Sequence, residues 1–476
     1  MSNQQNVDPE AGDAKDKYRD NIATVDKEGK RIWIYPKKPS GSFHTARVYV
    51  ALGLILLFFA GPFIKIAGQP LLLINVLERK FVIFGMAFWP QDFHLFFLAS
   101  LVFIIFILLF TAVFGRIWCG WACPQTIFME MVFRKIEYWI EGDAQQQKRL
   151  NAKEMDGGKF ARKAAKHGIF LFISFLIGNM FLAYVVGSDR LFEIILSPPT
   201  ENFTGFLAVV AFSGIFYFIF SYFREQACVI VCPYGRFQSV LLDKNSIVVS
   251  YDYKRGEQRG KMRRKQERPD QFGHCVDCNQ CVAVCPTGID IRNGTQLECV
   301  NCTACIDACD SIMTKVGFPK GLIRYSSYAG IVSEKMKIIT PRIIGYTALL
   351  MVILSSFLFL FLGRSDLETT ILRAPGSLFN QLPDGTITNL YTVKIVNKTF
   401  EEIDTRFRLK GVEGEIKIVG APLAASAGEL AETAMIIQIN PQHIRERKQN
   451  ITIQVLSNDI VVDEVATTFI APAKKQ

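Results

Sequence analysis

Five apolar runs, each long enough to cross a bilayer as a helix, recur along this 476-residue chain near 46–66, 93–114, 168–187, 203–222 and 343–363. A span of about 20 apolar residues must satisfy its backbone polar groups within itself, so each run is expected to be helical. Half of the chain is hydrophobic while 21% is charged, and the two compositions are segregated along it. A multi-pass membrane protein with soluble parts is the expected class. Some 45 polar residues precede the first run, which lacks a small-residue cleavage site. It therefore reads as an anchor and not as a removed leader.

Lysine and arginine set the expected orientation, because short loops rich in them stay on the cytoplasmic side. Residues 1–45 carry eight and 115–167 carry ten, whereas 66–92 holds only Arg79 and Lys80 and 188–202 only Arg190. This places the N-terminus and the segment between the fourth and fifth runs inside, and the C-terminus outside, in a bacterial inner membrane. All twelve cysteines then fall on the reducing side. No disulfide framework is expected in the cysteine-free C-terminal region.

Eight cysteines read C-x2-C-x2-C-x3-C twice, as Cys275, Cys278, Cys281, Cys285 and Cys299, Cys302, Cys305, Cys309, at a constant offset of 24. This is the bacterial spacing for two 4Fe-4S clusters, in which three thiolates wrap one cube and the fourth ligates the other. Cys275, Cys278 and Cys281 are thus paired with Cys309, and Cys299, Cys302 and Cys305 with Cys285. Pro286 follows the first run as the pattern expects, but Asp310 stands where a second proline would, with scope to loosen or re-tune that site. Zinc shares the C-x2-C spacing, yet a zinc site seldom uses two unbroken runs of four.

The other four cysteines lie in GRIWCGWACPQ and REQACVIVCPYG, where Cys119/Cys123 and Cys228/Cys232 repeat at an offset of 109. Two helical hairpins ending in the same motif suggest duplicated halves related by an axis along the membrane normal. The four thiols would then approach one site. Residues four apart share a helix face, and Pro124 and Pro233 suit the first position of a new helix. Cys123 and Cys232 are accordingly expected at helix starts, where the dipole favours thiolate. The stretch after Pro124 reads as an interfacial amphipathic helix, with Ile127, Phe128, Met131, Val132, Ile136, Trp139 and Ile140 on one face and Glu130, Arg134, Glu137 and Glu141 on the other.

Four soft thiolates suit Cu(I), zinc or a further iron–sulfur centre, or could cycle as disulfides, and simple packing is the plain alternative. A haem ladder is not expected, because none of His44, His94, His167, His274 and His443 is central to an apolar run. Asn179 is expected to make an interhelical hydrogen bond. The basic stretch 254–268 is read as lying on anionic headgroups or steering an acidic electron donor, and not as a nucleic-acid site.

Beyond the fifth run, segments such as TITNLYTVKIVNKT, TAMIIQIN, NITIQVLSN and IVVDEVATTFIA read as six or more strands of an immunoglobulin-like sandwich. The fold class is therefore a five-helix membrane bundle with an inserted two-cluster ferredoxin-like module and a C-terminal all-β sandwich. Expected domains are a cytoplasmic arm at 1–45, a membrane domain at 46–250, the double 4Fe-4S module at 251–335, the fifth helix at 343–363 and a periplasmic sandwich at 370–476. The sandwich offers no catalytic constellation and reads as a docking module.

Together, GRIWCGWACPQ, CVIVCPYGRFQ, HCVDCNQCVAVCPTGIDIR and CVNCTACIDACD ahead of a β-rich C-terminus resemble the FixG/RdxA/CcoG family of cytochrome c oxidase accessory proteins, membrane-bound polyferredoxins. The related NapH and NosR membrane ferredoxins share the Cys-x3-Cys-Pro motif but lack the sandwich. The resemblance implies a cupric reductase that helps to mature a cbb(3)-type oxidase. In the relay expected from it, a cytoplasmic donor reduces the two clusters, copper is reduced near Cys119, Cys123, Cys228 and Cys232, and Cu(I) leaves for a chaperone or transporter. Oxidase subunits or assembly factors and the lipid bilayer are the other implied partners, and a homodimer stays open. Two rival readings are an electron carrier to quinone or a redox partner, and a non-enzymatic assembly scaffold with redox-sensing clusters.

Overall fold

The computed structural model describes residues 23–472, apart from 27, 67–68, 76–79, 85, 89–91, 262–270, 366, 377, 400–401, 421–423, 427–429, 445 and 458. Arg79, most of the arm at 1–45 and the second half of the basic stretch 254–268 lie outside the described residues. Among the described residues, five helices are long and apolar enough to span a membrane. They are α1 (Ser42–Ala60), α2 (Phe93–Phe114), α3 (Gly157–Val186), α4 (Phe203–Phe218, continued by a π-helical turn at Ile219–Phe223) and α5 (Pro341–Leu362).

Two boundaries differ from the hydropathy reading. α1 stops at Ala60 because Pro62 disfavours helix at Gly61. α3 starts at Gly157, ahead of the apolar run, because the Asp156 carboxylate accepts a bond from the Lys159 amide at 2.7 Å and the following FARKAAK stretch has high helix propensity. Asn179 also departs from expectation. Its Nδ2 donates to Phe175 O within α3 itself, at 2.7 Å.

The chain divides into two compact units. The first comprises Met1–Ala60, Leu98–Ala183 and Asp189–Ser355 and contains all twelve cysteines. Its ferredoxin segment is built on the antiparallel pair Val248–Tyr251 and Ile323–Ser326 with the helices Gln280–Ala283 and Ala304–Val316. Val249, Ile291, Ile306, Met313, Leu322 and Ile323 form its core. Asp307 ties this segment to α1, because its carboxylate accepts bonds from the Phe43 amide at 3.2 Å and the His44 amide at 2.8 Å. That satisfies two of the donors that a helix start leaves unpaired.

The second unit comprises Gly61–Phe97, Tyr184–Ser188 and Ser356–Gln476. Its main sandwich strands are β1 (Leu367–Arg373), β2 (Ile387–Asn397), β3 (Arg406–Lys410), β4 (Glu415–Val419), β5 (Leu430–Ile439), β6 (Lys448–Ser457) and β7 (Ile460–Ile470). Antiparallel sheets β4-β5-β2-β1 and β3-β6-β7 face each other across Tyr391, Val393, Ile395, Met435, Ile453 and Phe469. Tyr391 is fully buried, and its hydroxyl donates to Thr468 O at 2.9 Å, joining the two sheets. Asp92 accepts ion pairs from Arg364 at 2.8 Å and Lys398 at 2.6 Å in the same unit.

The segment after Pro124 departs most from its sequence reading. It is helical from Pro124 to Ile140, but Phe128–Phe133 is a π-helical turn. Such a turn inserts extra backbone and rotates the next helical residues about the axis. Arg134, Glu137 and Glu141 are therefore 1–3% exposed, while Trp139 is 79% exposed. The expected polar face is thus buried along with part of the apolar one, since Ile127, Phe128 and Met131 are buried too.

Candidate metal centres and the contact between them

The two ferredoxin loops repeat in backbone as well as in sequence. Asp277 and Asn279 flank Cys278, Asn301 and Thr303 flank Cys302, and all four adopt left-handed backbone at φ 48, 54, 54 and 64. Alternating right- and left-handed residues turn successive N–H groups inward, the arrangement that cradles anionic iron–sulfur groups. Cys275, Cys278, Cys281 and Cys309 line one cavity. Cys285, Cys299, Cys302 and Cys305 line a second, on which Cys281 also borders. The thiols ring two cavities and do not close on a point: among the described residues, no three His, Cys, Asp or Glu side chains are placed to hold a single metal ion. Two groups of four cysteines, each around its own cavity, fit two 4Fe-4S clusters.

Asp310 has a local explanation. Pro286 follows a four-residue helix, whereas Asp310 allows Ala304–Val316 to run on without a break. Its side chain accepts a bond from Gly321 N at 2.8 Å and fastens the helix to the next strand. Cys309 stays in its cavity.

Cys123 and Cys232 are the N-cap residues of the helices beginning at Pro124 and Pro233. Cys232 Sγ accepts from Gly235 N at 3.4 Å. Each first cysteine of a motif faces the other half: Cys119 Sγ donates to Gln238 Oε1 at 3.2 Å, and Cys228 lines a cavity with Thr126. The thiols feel one another electrostatically, Cys228 being influenced by Cys123, Cys119 and Cys232 in that order. Burial first, and then the neighbouring thiols, push both Cys119 and Cys228 up to about 12. In the absence of metal these two are protonated at neutral pH.

Backbone contact connects this quartet to the second cluster loop. A Cβ added to Gly120 would lie 2.5 Å from Val300 O and 2.8 Å from Asn301 C, so only glycine permits the approach. Cys119 packs against the buried group formed by Val284, Val300, Cys302 and Ala304. Trp121 Nε1 donates to the Tyr325 hydroxyl at 3.0 Å, which in turn donates to Asn301 O at 3.3 Å. Arg47, 5% exposed, closes the junction by donating from Nε to Gly120 O at 3.0 Å. Gly120→Ala is expected to cost about 1–3 kcal/mol through overpacking. A lowered melting temperature in detergent together with an altered spectrum of the second cluster would register it, whereas an unchanged melt would mean the contact is loose.

A buried charge network underlies the quartet. Arg224 pairs with Glu137 through two bonds of 2.8 Å, Arg31 with Glu225 at 2.9 Å, Arg134 with Glu130 at 3.1 Å, and Lys166 with Glu141 at 2.9 Å. Burial alone would raise the Glu137 pKa, but Arg224, Lys166 and Arg134 together hold it below the usual carboxylate value. Glu225, Arg224 and Cys228 share a cavity with Pro286 and Val300. None of these pairs follows a local spacing signal except Glu130 and Arg134, four residues apart. Of the five histidines, His167 bonds Tyr217 at 3.0 Å and His274 stacks on Phe318, both packing roles.

Three families match the chain. Residues 96–142 match a 4Fe-4S binding domain, 223–328 a 4Fe-4S dicluster domain, and 357–472 the immunoglobulin-like fold at the C-terminus of FixG. The chain is 33% identical over 425 residues to nitrogen fixation protein FixG of Rhizobium meliloti, covering 80% of each sequence. It is 32% identical over 395 residues to protein RdxA of Cereibacter sphaeroides, covering 80% of this chain and 82% of that one, and 33% identical over 393 residues to RdxB of the same organism, covering 79% and 81%. With two ferredoxin-type cavities beside membrane helices and the FixG C-terminal fold, the chain belongs to the FixG/RdxA family of membrane-spanning iron–sulfur electron-transfer proteins.

Proposed function

We propose that this protein reduces Cu(II) to Cu(I) at Cys119, Cys123, Cys228 and Cys232, on the cytoplasmic side of a bacterial inner membrane, in support of cbb(3)-type oxidase assembly. Clusters bound by Cys275, Cys278, Cys281 and Cys309, and by Cys299, Cys302, Cys305 and Cys285, supply one-electron storage beside the membrane. The observation that carries the reading is the contact of Gly120 with Val300 and Asn301, which sets the thiol quartet directly against a cluster loop. Cys278 is exposed and Cys302 is buried toward Cys119. A cytoplasmic donor would therefore meet the first loop, and copper the second.

The thiols favour the product. Soft sulfur ligands prefer Cu(I) to Cu(II), and a quartet too spread for a four-coordinate ion still offers pairs of thiolates. Each turnover consumes one electron per copper. With Cys119 and Cys228 raised to about 12 by burial, a Cu(I) that engages both displaces about two protons at neutral pH. Affinity should then rise about 100-fold per pH unit below that range. Titration of Cu(I) into the protein in weak buffer checks this, and release of no proton would remove these two thiols from the ligand set.

The test of the function uses the purified full chain with its clusters reduced and excess reductant removed. Cu(II) should reoxidise the clusters with one Cu(I), trapped by a chelator, for each electron lost. Reoxidation by a quinone but not by Cu(II) would identify a quinone-linked carrier instead. Inertness toward both would leave a scaffold.

A further inference from the structure

We propose that a cavity at the start of α1 binds a phosphate group, that of an anionic phospholipid. Lys38, His44, Arg47 and Lys135 line it together with Glu130 and Tyr138. The balance of charge is unmet. Glu130 is taken by Arg134 at 3.1 Å, and both Asp307 oxygens accept backbone amides. Asp143 meets Lys38 only at the backbone amide, at 2.9 Å. Among the described residues, no carboxylate forms an ion pair with Lys38, Arg47 or Lys135.

The basic groups repel one another across this space. Burial and Lys38 lower the Lys135 pKa. His44 faces Arg47, Lys135 and Lys38, with Asp307 the nearby carboxylate. His44 Nδ1 is buried without a hydrogen-bond partner. A phosphate oxygen would answer all four groups, since it accepts strong bonds from ammonium, guanidinium and ring N–H donors.

Position favours a lipid as the source. The cavity opens at the first turn of a 19-residue membrane span, where headgroups lie. Beyond it α1 presents Tyr49, Leu52 and Leu56, which are 71%, 53% and 60% exposed, so acyl chains can follow the helix from a phosphate seated at its base. Arg47 links the cavity to the quartet, because its Nε is bonded to the carbonyl of Gly120. A phosphate there would fix the guanidinium that steadies the Cys119 turn.

The test is native mass spectrometry of the delipidated full chain with its clusters loaded, titrated with phosphatidylglycerol, phosphatidylcholine or inorganic phosphate. Phosphatidylglycerol should occupy one site at least tenfold more tightly than phosphatidylcholine. K38Q/K135Q should abolish that preference while cluster absorbance stays intact, and K315Q/K320Q, on the ferredoxin segment, should leave it unchanged. Displacement of the lipid by millimolar phosphate in the parent protein, absent in K38Q/K135Q, would support the site and assign it to free phosphate. Equal binding of the two lipids, or full preference retained in K38Q/K135Q, would overturn the proposal.

Discussion

Serine at both Cys119 and Cys228 is expected to lower the rate of Cu(I) formation by more than about 100-fold, since loss of supporting groups at a metal site alone costs 10–100-fold. The eight ferredoxin cysteines are untouched by this change, so the cluster signals should persist and still be bleached by the donor. Serine can keep the hydrogen bond from position 119 to Gln238 but replaces a soft ligand with a hard one that favours Cu(I) poorly. Each single variant should fall between the parent and the double variant. Rapid-mixing kinetics with a Cu(I) chelator gives the rate, and electron paramagnetic resonance of the reduced sample verifies the clusters.

Arg224→Ala is expected to destabilise the protein by about 3 kcal/mol, the lower end of the range for removing one partner of a buried pair. Glu137, 2% exposed, would lose both 2.8 Å bonds. The figure stays at the lower end because Lys166 remains 3.8 Å away and shares the charge. Arg224→Lys should recover only part of the loss, because an ammonium cannot reproduce the bidentate fork. The lowered Glu137 pKa sets the sign of the pH dependence. The pair's contribution is complete above its ordinary value of 4.5 and is lost as pH falls through the lower folded-state value. Thermal unfolding in detergent across that acidic window measures both effects, and parent and Arg224→Ala melts should converge at the acid end.

Long apolar runs and tight cysteine spacing made much of this architecture readable from sequence. Both signals are local: hydropathy over 20 residues decides whether a helix prefers lipid, and a cluster loop carries most of its ligands within eleven positions. Cys309 and Cys285 each line the cavity of the other repeat, and the 24-residue offset is the sequence signal that points to such a pseudo-twofold pair. The features that could not be read depend on contacts distant in sequence or on irregular backbone. The π-helical turn at Phe128–Phe133 rotates Arg134 and Glu137 inward, which a 3.6-residue period cannot anticipate. Asn179 found its partner one turn back in α3 because a helix carbonyl is always within reach of a side chain four residues on. Gly120 carries no signal beyond being glycine, and its meaning appears only when Val300 is placed against it.

X-ray absorption at the copper edge, on full-length protein reduced and then given one equivalent of Cu(II), tests the central claim most directly. The expected result is Cu(I) with a sulfur-only first shell that disappears in the Cys119→Ser/Cys228→Ser protein. Copper still divalent, or a shell of nitrogen and oxygen that is the same in parent and variant, would contradict it.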